Sequence, residues 1–305
     1  MAQGGSGVLS GLEVAMKLGY ASMNTPADVR PDRLARALEE RGYDSLFVGE
    51  HSHIPTSRRT PYPAGGELPD SYLRMMDPFV SLTLAASATS TLTIGTGVAL
   101  PLERDLLALA KTVATLDVLS SGRLEFGVGV GWNAEELANH RPDISWAMRY
   151  RALEECTEAL RRLWIDAESE HHGKYFDFDS SWSFPKPHRK PHPPVLCGTA
   201  GRLGSRHAAR WADGWMPTDI GLGPIEGGML DKKVRLFREA AEQASRPHLP
   251  ITMVAFGNPT LATLAHYRDL GIERVVLGTS RADWDDPSTT MAFIDHYAAL
   301  IPDLA

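Results

Sequence analysis

The sequence predicts a (β/α)8 barrel, and three observations carry the prediction. Short apolar runs alternate with longer amphipathic stretches along the chain, the short runs number eight, and two glycine clusters fall directly after two of them. At 305 residues the chain is longer than most single domains, yet α/β barrels of this length fold around one core, so one domain spanning 1–305 is expected. A doubly wound open sheet is the competing arrangement of the same elements.

Taken in order, strands are predicted over residues 12–18, 45–48, 92–98, 124–128, 194–197, 214–217, 251–255 and 274–277, each a brief apolar run. Helices are predicted over 31–41, 78–86, 107–119, 148–165, 202–211, 231–244, 261–270 and 290–300, where apolar residues recur at helical spacing. Two stretches exceed the minimal repeat, 52–76 after the second strand and 168–192 before the fifth, both rich in Pro, His, Arg and aromatic residues. Loops that follow strands build the working face of such a barrel, so 52–76 is expected to form a lid or substrate wall. The segment 168–192 follows a helix and is expected to brace the far side or a subunit contact.

Composition narrows the function. Hydrophobic residues at 43% and charged ones at 23% fit an ordinary globular protein, and the net charge of −7, spread along the chain, argues against a sequence-independent grip on nucleic acid. Two cysteines, Cys156 and Cys197, are too few for a disulfide framework. The first residues are small and polar and read as a tail over 1–9 rather than a signal peptide. No stretch approaches the roughly 18–20 apolar residues of a membrane span, so a cytoplasmic enzyme without a membrane partner is expected.

Chemistry is expected at three strand ends. After the fourth strand, Gly127-Val128-Gly129-Val130-Gly131-Trp132 lets backbone amides approach a ligand, although its spacing does not match the dinucleotide fingerprint; tight strand–helix packing is the bland alternative. After the fifth, Cys197-Gly198-Thr199-Ala200-Gly201 precedes a helix and reads as a phosphate cradle, or as a plain βα loop. After the second, Glu50-His51-Ser52-His53 puts a carboxylate and imidazoles where general acids and bases belong. His51 and His53, at alternate positions, also suggest a metal pair, but the later strand ends supply no further histidine, and no metal is expected.

The run Ile94-Gly95-Thr96-Gly97-Val98-Ala99-Leu100-Pro101, then Ala108-Leu109-Ala110-Lys111-Thr112-Val113-Ala114-Thr115-Leu116-Asp117 and Leu119-Ser120-Ser121-Gly122-Arg123, resembles the luciferase-like monooxygenase superfamily. Gly173-Lys174-Tyr175-Phe176, Pro185-Lys186-Pro187 and Ala212-Asp213-Gly214-Trp215-Met216-Pro217 extend the match, which covers roughly 12–280. The resemblance implies a barrel holding coenzyme F-420 or FMN at its C-terminal rim, and a homodimer through the helices after strands two and three. Within the family, Glu50-His51 is similar to the acid–histidine pair of the F-420-dependent oxidoreductase branch. His51 is therefore the expected catalytic residue, with Glu50 orienting it or touching the ring. The resemblance places coenzyme contacts on Thr96, Gly97 and Val98, with a non-prolyl cis bond between the last two. Further contacts are implied at Gly131, Trp132 and Glu135, and at Cys197, Gly198, Thr199, Ala200 and Gly201. The activity it implies is hydride transfer between the deazaflavin and a small organic substrate. An FMN-dependent monooxygenase fed by a partner reductase, and a barrel that binds flavin without turnover, are the alternatives.

Overall fold

The computed structural model describes residues 15–199, 201–280 and 284–304, apart from the side chain of Arg202. The strands are β1 (Lys17–Ser22), β2 (Ser45–Val48), β3 (Thr93–Thr96), β4 (Leu124–Val128), β5 (Ser169–His172), β6 (Asp177–Ser181), β7 (Val195–Cys197), β8 (Gly214–Trp215), β9 (Thr252–Phe256) and β10 (Arg274–Gly278). The helices are α1 (Pro31–Glu40), α2 (Pro78–Ser87), α3 (Leu106–Leu119), α4 (Ala134–His140), α5 (Arg149–Ile165), α6 (Arg202–Trp211), α7 (Asp219–Leu222), α8 (Met229–Gln243), α9 (Leu261–Asp269) and α10 (Pro287–Ala298). Eight strands form one parallel sheet in the order β8-β7-β4-β3-β2-β1-β10-β9. Its two edges meet where Trp215 pairs with Ile251 and Thr218 with Val254, through Trp215 N–H to the Pro250 carbonyl (2.9 Å) and Val254 N–H to the Pro217 carbonyl (2.8 Å). The predicted barrel is therefore present, and the open sheet is excluded.

Two apolar layers hold it. Phe47, Leu196, Met216, Val254 and Val276 fill the barrel interior, while a larger set from the outward strand positions and the inward helix faces seals the ring. At the N-terminal end Arg274 closes the barrel with Asp44 (2.6 Å) and a forked contact to Glu125 (2.5 and 3.1 Å). Charges withdrawn from water demand such pairing, and this plug leaves the opposite rim open for a ligand.

Helix starts follow from local chemistry. Asp77, Asp105, Asn133, Thr260 and Asp286 each accept a hydrogen bond from an amide in the first turn of the helix that follows. α1, α2 and α10 begin on proline, which lacks the N–H that would otherwise lie unpaired there.

Three expectations are corrected. The first strand is Lys17–Ser22, several residues later than predicted. Gly19 and Ser22 dilute its apolar signal, and residues 12–14 of the predicted run, like the tail expected over 1–9, lie outside the described residues. α4 and the short α7 were not predicted. The segment 168–192 contains the antiparallel hairpin β5–β6, whose sequences SEHH and DFDSS carry little apolar alternation. It is fastened to α5 by Glu155, which accepts from the Tyr175 (2.7 Å) and Phe176 (2.9 Å) amides.

On α1, Glu39 accepts from the amides of Ser90 (2.9 Å), Thr91 (2.6 Å) and Leu92 (2.9 Å), fixing the entry to β3. Burial opposes its ionisation, but the Thr91, Leu92 and Ser90 amides prevail and hold its pKa at about 2, against 4.5 unperturbed. Its depressed pKa means the contribution is complete above about 4.5 and is lost as pH falls toward 2. Glu39→Ala is expected to cost about 1–2 kcal/mol at neutral pH after allowing for solvent screening. Urea unfolding at neutral pH and at low pH checks this, since the deficit should shrink in acid.

Candidate active site

At the C-terminal rim a cavity of about 390 Å³ is walled by residues from the exits of β1, β2, β3, β4, β7, β8 and β9. His51, Gly131 and Thr199, which three separate sequence clusters nominated, all face it. A cavity at this end of a parallel barrel is where strand-end loops converge and where ligands of such folds sit.

Its floor comes from a bulge after β3. The β3–β4 register runs Ile94 to Leu124 and Gly95 to Glu125, then resumes at Ala99 to Val128, so β3 carries one extra residue. The bulge contains the cis Gly97–Val98 bond that the family resemblance implies. It turns Val98 into the cavity between the β4 and β7 exits. A Cβ on Gly129 would lie 2.6 Å from Val98 Cγ2, and one on Gly198 2.3 Å from Val98 Cγ1. These two glycines thus make room for Val98 as well as letting their backbone face the cavity.

His51 is the central polar group. Its Nδ1 lies 2.6 Å from Glu136 Oε2, and its Nε2 accepts from the Trp132 indole N–H at 3.0 Å. The network assigns the neutral tautomer with the proton on Nδ1, leaving Nε2 as the acceptor. Tyr72 and Trp132 meet the imidazole edge-on, with centroids 5.3 and 5.4 Å away. Tyr72 also touches Tyr62, Trp132 and Trp284, so an aromatic web covers His51 from the 52–76 segment.

Glu136 sits in the first turn of α4, where the helix N-terminus favours an anion, and its second oxygen accepts from the Ser52 amide at 3.1 Å. Glu50 lines the cavity but turns away from His51. It accepts from Leu100 N–H (2.8 Å) and is paired with Arg104, whose guanidinium also reaches Asp77 (2.6 Å). Burial pushes the Glu50 carboxyl above its ordinary value, against the pull of Arg104. The residue that orients His51 is therefore Glu136 and not Glu50 as expected. Sequence reasoning missed it because Glu135 and Glu136 are adjacent acids and α4 had not been assigned, so no helix phase told which of them turns inward.

The remaining expected residues divide. Gly97, Val98, Gly131, Trp132, Gly198 and Thr199 line the cavity. Thr96, Glu135, Cys197 and Gly201 do not. Thr96 is buried and spends its hydroxyl on the Gly127 carbonyl (2.7 Å). Glu135 faces the 52–76 segment, accepting from Thr60 N–H (3.0 Å) and Ser57 (3.3 Å). Cys197 follows the inward Leu196 and so points outward among the helices, where burial pushes its thiol up to about 12. Gly201 is exposed as the N-cap of α6, and Ala200 lies outside the described residues. His53 hydrogen-bonds Ser52 (2.9 Å) and Asn139 (2.7 Å) away from His51, so the two imidazoles do not form the metal pair considered above. Of the 52–76 residues, Tyr72 and Met75 reach the cavity, while Trp182 is 78% exposed and plays no part. Trp284, Tyr150 and Met23 also line it without having been anticipated, because each comes from outside the strand-end clusters.

Comparison with known proteins places this arrangement. Residues 18–270 match the family described as luciferase-like monooxygenase. An uncharacterised protein of Mycobacterium tuberculosis strain H37Rv is 37% identical over 290 residues, covering 93% of this chain and 98% of its own length. An F-420-dependent hydroxymycolic acid dehydrogenase of the same organism is 28% identical over 61% of this chain and 49% of its own length. Among solved structures, a monooxygenase from Streptomyces bottropensis superposes with a TM-score of 0.74 at 22% identity over 95% of this chain and 100% of its own. An F-420-dependent secondary alcohol dehydrogenase in complex with an F-420–acetone adduct does so at 0.70 and 18% identity, over 95% and 99%.

Proposed function

The chain belongs to the luciferase-like monooxygenase family, and on that premise we propose that it is a deazaflavin-dependent oxidoreductase moving a hydride between coenzyme F-420 and a small organic substrate. The observation that carries the reading is His51: a neutral imidazole held over the cavity, its Nδ1–H fixed by Glu136 and its Nε2 an acceptor. Relatives of similar sequence named as F-420-dependent dehydrogenases support the choice of coenzyme.

The cavity fits such a group on its own evidence. Val98 and Met216 give an apolar floor, and α6 starts on Gly201 with no side-chain cap, leaving its first amides to meet an anion near Thr199. Gly131, Trp132, Gly198 and Thr199 would hold the phosphate and ribityl chain, and Gly97 and Val98 the ring. When bound, the deazaflavin supplies the carbon that accepts or donates hydride. Once a bound substrate displaces the Trp132 N–H from its lone pair, His51 Nε2 takes the proton of a substrate hydroxyl during oxidation, or returns one to a carbonyl oxygen during reduction. Glu136 stabilises the imidazolium so formed, and the Tyr72–Trp132–Trp284 web excludes water from the reacting atoms. The substrate is accordingly an alcohol or carbonyl compound with an apolar body, matching a cavity whose lining is mostly apolar and aromatic.

Anaerobic incubation with F-420 and a panel of alcohols, followed by loss of the oxidised coenzyme's absorbance, tests the reading. Oxygen uptake with reduced FMN, and no turnover with F-420, would replace it by the alternative of an FMN-dependent monooxygenase fed by a partner reductase.

The enzyme acts as a homodimer through α2 and α3, which leave Val80, Leu107 and Leu119 substantially exposed. Val80→Glu with Leu119→Glu is expected to shift the light-scattering mass from dimer to monomer. A monomeric wild type would refute the assignment. Among the described residues no helix is long and apolar enough to cross a membrane.

A further inference from the structure

Behind the wall that carries Gly131 lies a group the mechanism above does not use. Glu103 ends the short 3-10 turn Pro101–Glu103 and is buried, with Oε1 3.6 Å from where a Gly131 Cβ would stand. Three carboxyl groups, Glu50, Glu103 and Glu136, share this layer with one guanidinium, Arg104, and that guanidinium is committed to Glu50 and Asp77. Were all three ionised, a buried site would carry an uncompensated negative charge, which burial strongly disfavours.

The hydrogen-bond partners show which group takes the proton. Glu136 accepts from His51 Nδ1–H and Ser52 N–H, and Glu50 from Leu100 N–H and Arg104, so each of these two carboxyls meets donors. Glu103 Oε2 is enclosed and meets no donor among the described residues, and its turn packs against α4, the helix that carries Glu136. An oxygen enclosed beside an anion without a donor suits a carboxylic acid, whose own O–H supplies the missing hydrogen. Burial first, then Glu136 and Glu50, hold the Glu103 carboxyl well above the usual carboxylate range.

We propose that Glu103 is a neutral acid that donates its proton as a hydrogen bond to Glu136, and so acts as a positioning residue that limits how strongly Glu136 draws positive charge onto His51. No proton leaves Glu103 in the cycle. An alternating Glu136 partner, anionic toward His51 and hydrogen-bonded from behind, keeps the imidazole able to release what it takes up. Without the Glu103 donor, Glu136 becomes a harder anion, the imidazolium is favoured, and the limb of the pH profile governed by His51 moves to higher pH.

The inference rests on His51 being the proton-exchanging group, but its first test reads the ligand-free enzyme and is independent of any coenzyme. An infrared difference spectrum between wild type and Glu103→Gln at about pH 7, far above an unperturbed glutamate, should show the C=O band of a protonated carboxyl that only wild type has. Absence of that band overturns the proposal. In the loaded enzyme, Glu103→Gln, whose amide still donates, should keep the pH profile of kcat/KM. Glu103→Leu should move the His51 limb up by about one unit, a roughly fivefold loss at the wild-type midpoint. Equal displacement by both variants, or by neither, also overturns it. If Glu103→Leu does not fold, the infrared band and the Glu103→Gln profile decide. A band present in a protein that turns over no F-420 would instead count against the functional reading alone.

Discussion

His51→Ala is expected to lower kcat by about 10²- to 10⁴-fold while leaving coenzyme affinity within about threefold. The imidazole stands in the cavity with Nδ1 fixed by Glu136 and Nε2 an acceptor from the Trp132 N–H, the geometry of a proton-exchanging group. It is not part of the floor or of the glycine-bearing exits, so its loss should spare binding. Single-turnover measurements beside a fluorescence binding curve separate the two effects. Full activity in the variant would remove His51 from the chemistry, and loss of affinity in step with rate would make it a binding residue instead. Glu136→Gln should fall between the two proteins, because an amide can still accept from Nδ1–H but carries no charge to stabilise the imidazolium.

Gly198→Val is expected to weaken coenzyme binding by about 100-fold or more, equivalent to about 2.7 kcal/mol. A Cβ at 198 would stand 2.3 Å from Val98 Cγ1 and 3.3 Å from the Val128 carbonyl, and Val98 is a β-branched residue with little rotamer freedom. Relief requires Val98 to move into the cavity where the ring is held. Gly201→Ala provides the control, since a Cβ there meets nothing within 4 Å and its φ of −80° suits any residue. It should bind normally. Circular dichroism on both variants distinguishes a blocked cavity from a lost fold, and normal binding by folded Gly198→Val would show that Val98 does not support the coenzyme.

Most of the barrel was legible because its signal is local. β2 and β4 are buried apolar runs, and the helices between carry the apolar spacing of elements packed on one side. β1 was misplaced because a barrel strand can carry a glycine where a neighbour fills the space, as Ser45 does beside Gly19. The hairpin β5–β6 was missed because Phe178 is the one apolar residue in its two strands, and its tip is held by backbone hydrogen bonds to Glu155. In the site, His51 and the two glycine clusters could be named because each sits at a strand end, where position alone implies a role. Their partners could not. Glu136 lies 85 residues from His51, and Glu103 is a buried acid inside a turn that reads as solvated; both are brought into place by helix phase and by β3's bulge. Glu135, Thr96 and Cys197 show the reverse error: they flank the right positions, but one residue of displacement along a strand or helix turns a side chain away from the cavity.

The central claim, that one cavity at the barrel rim grips a phosphorylated deazaflavin beside His51, is tested most directly by titrating the purified protein with F-420 and with FMN while following fluorescence. Saturable F-420 binding, displaced little by excess FMN and greatly weakened in Gly198→Val but not in Gly201→Ala, is the expected result. Tight FMN binding with no affinity for F-420, or binding of either that Gly198→Val leaves untouched, would contradict it.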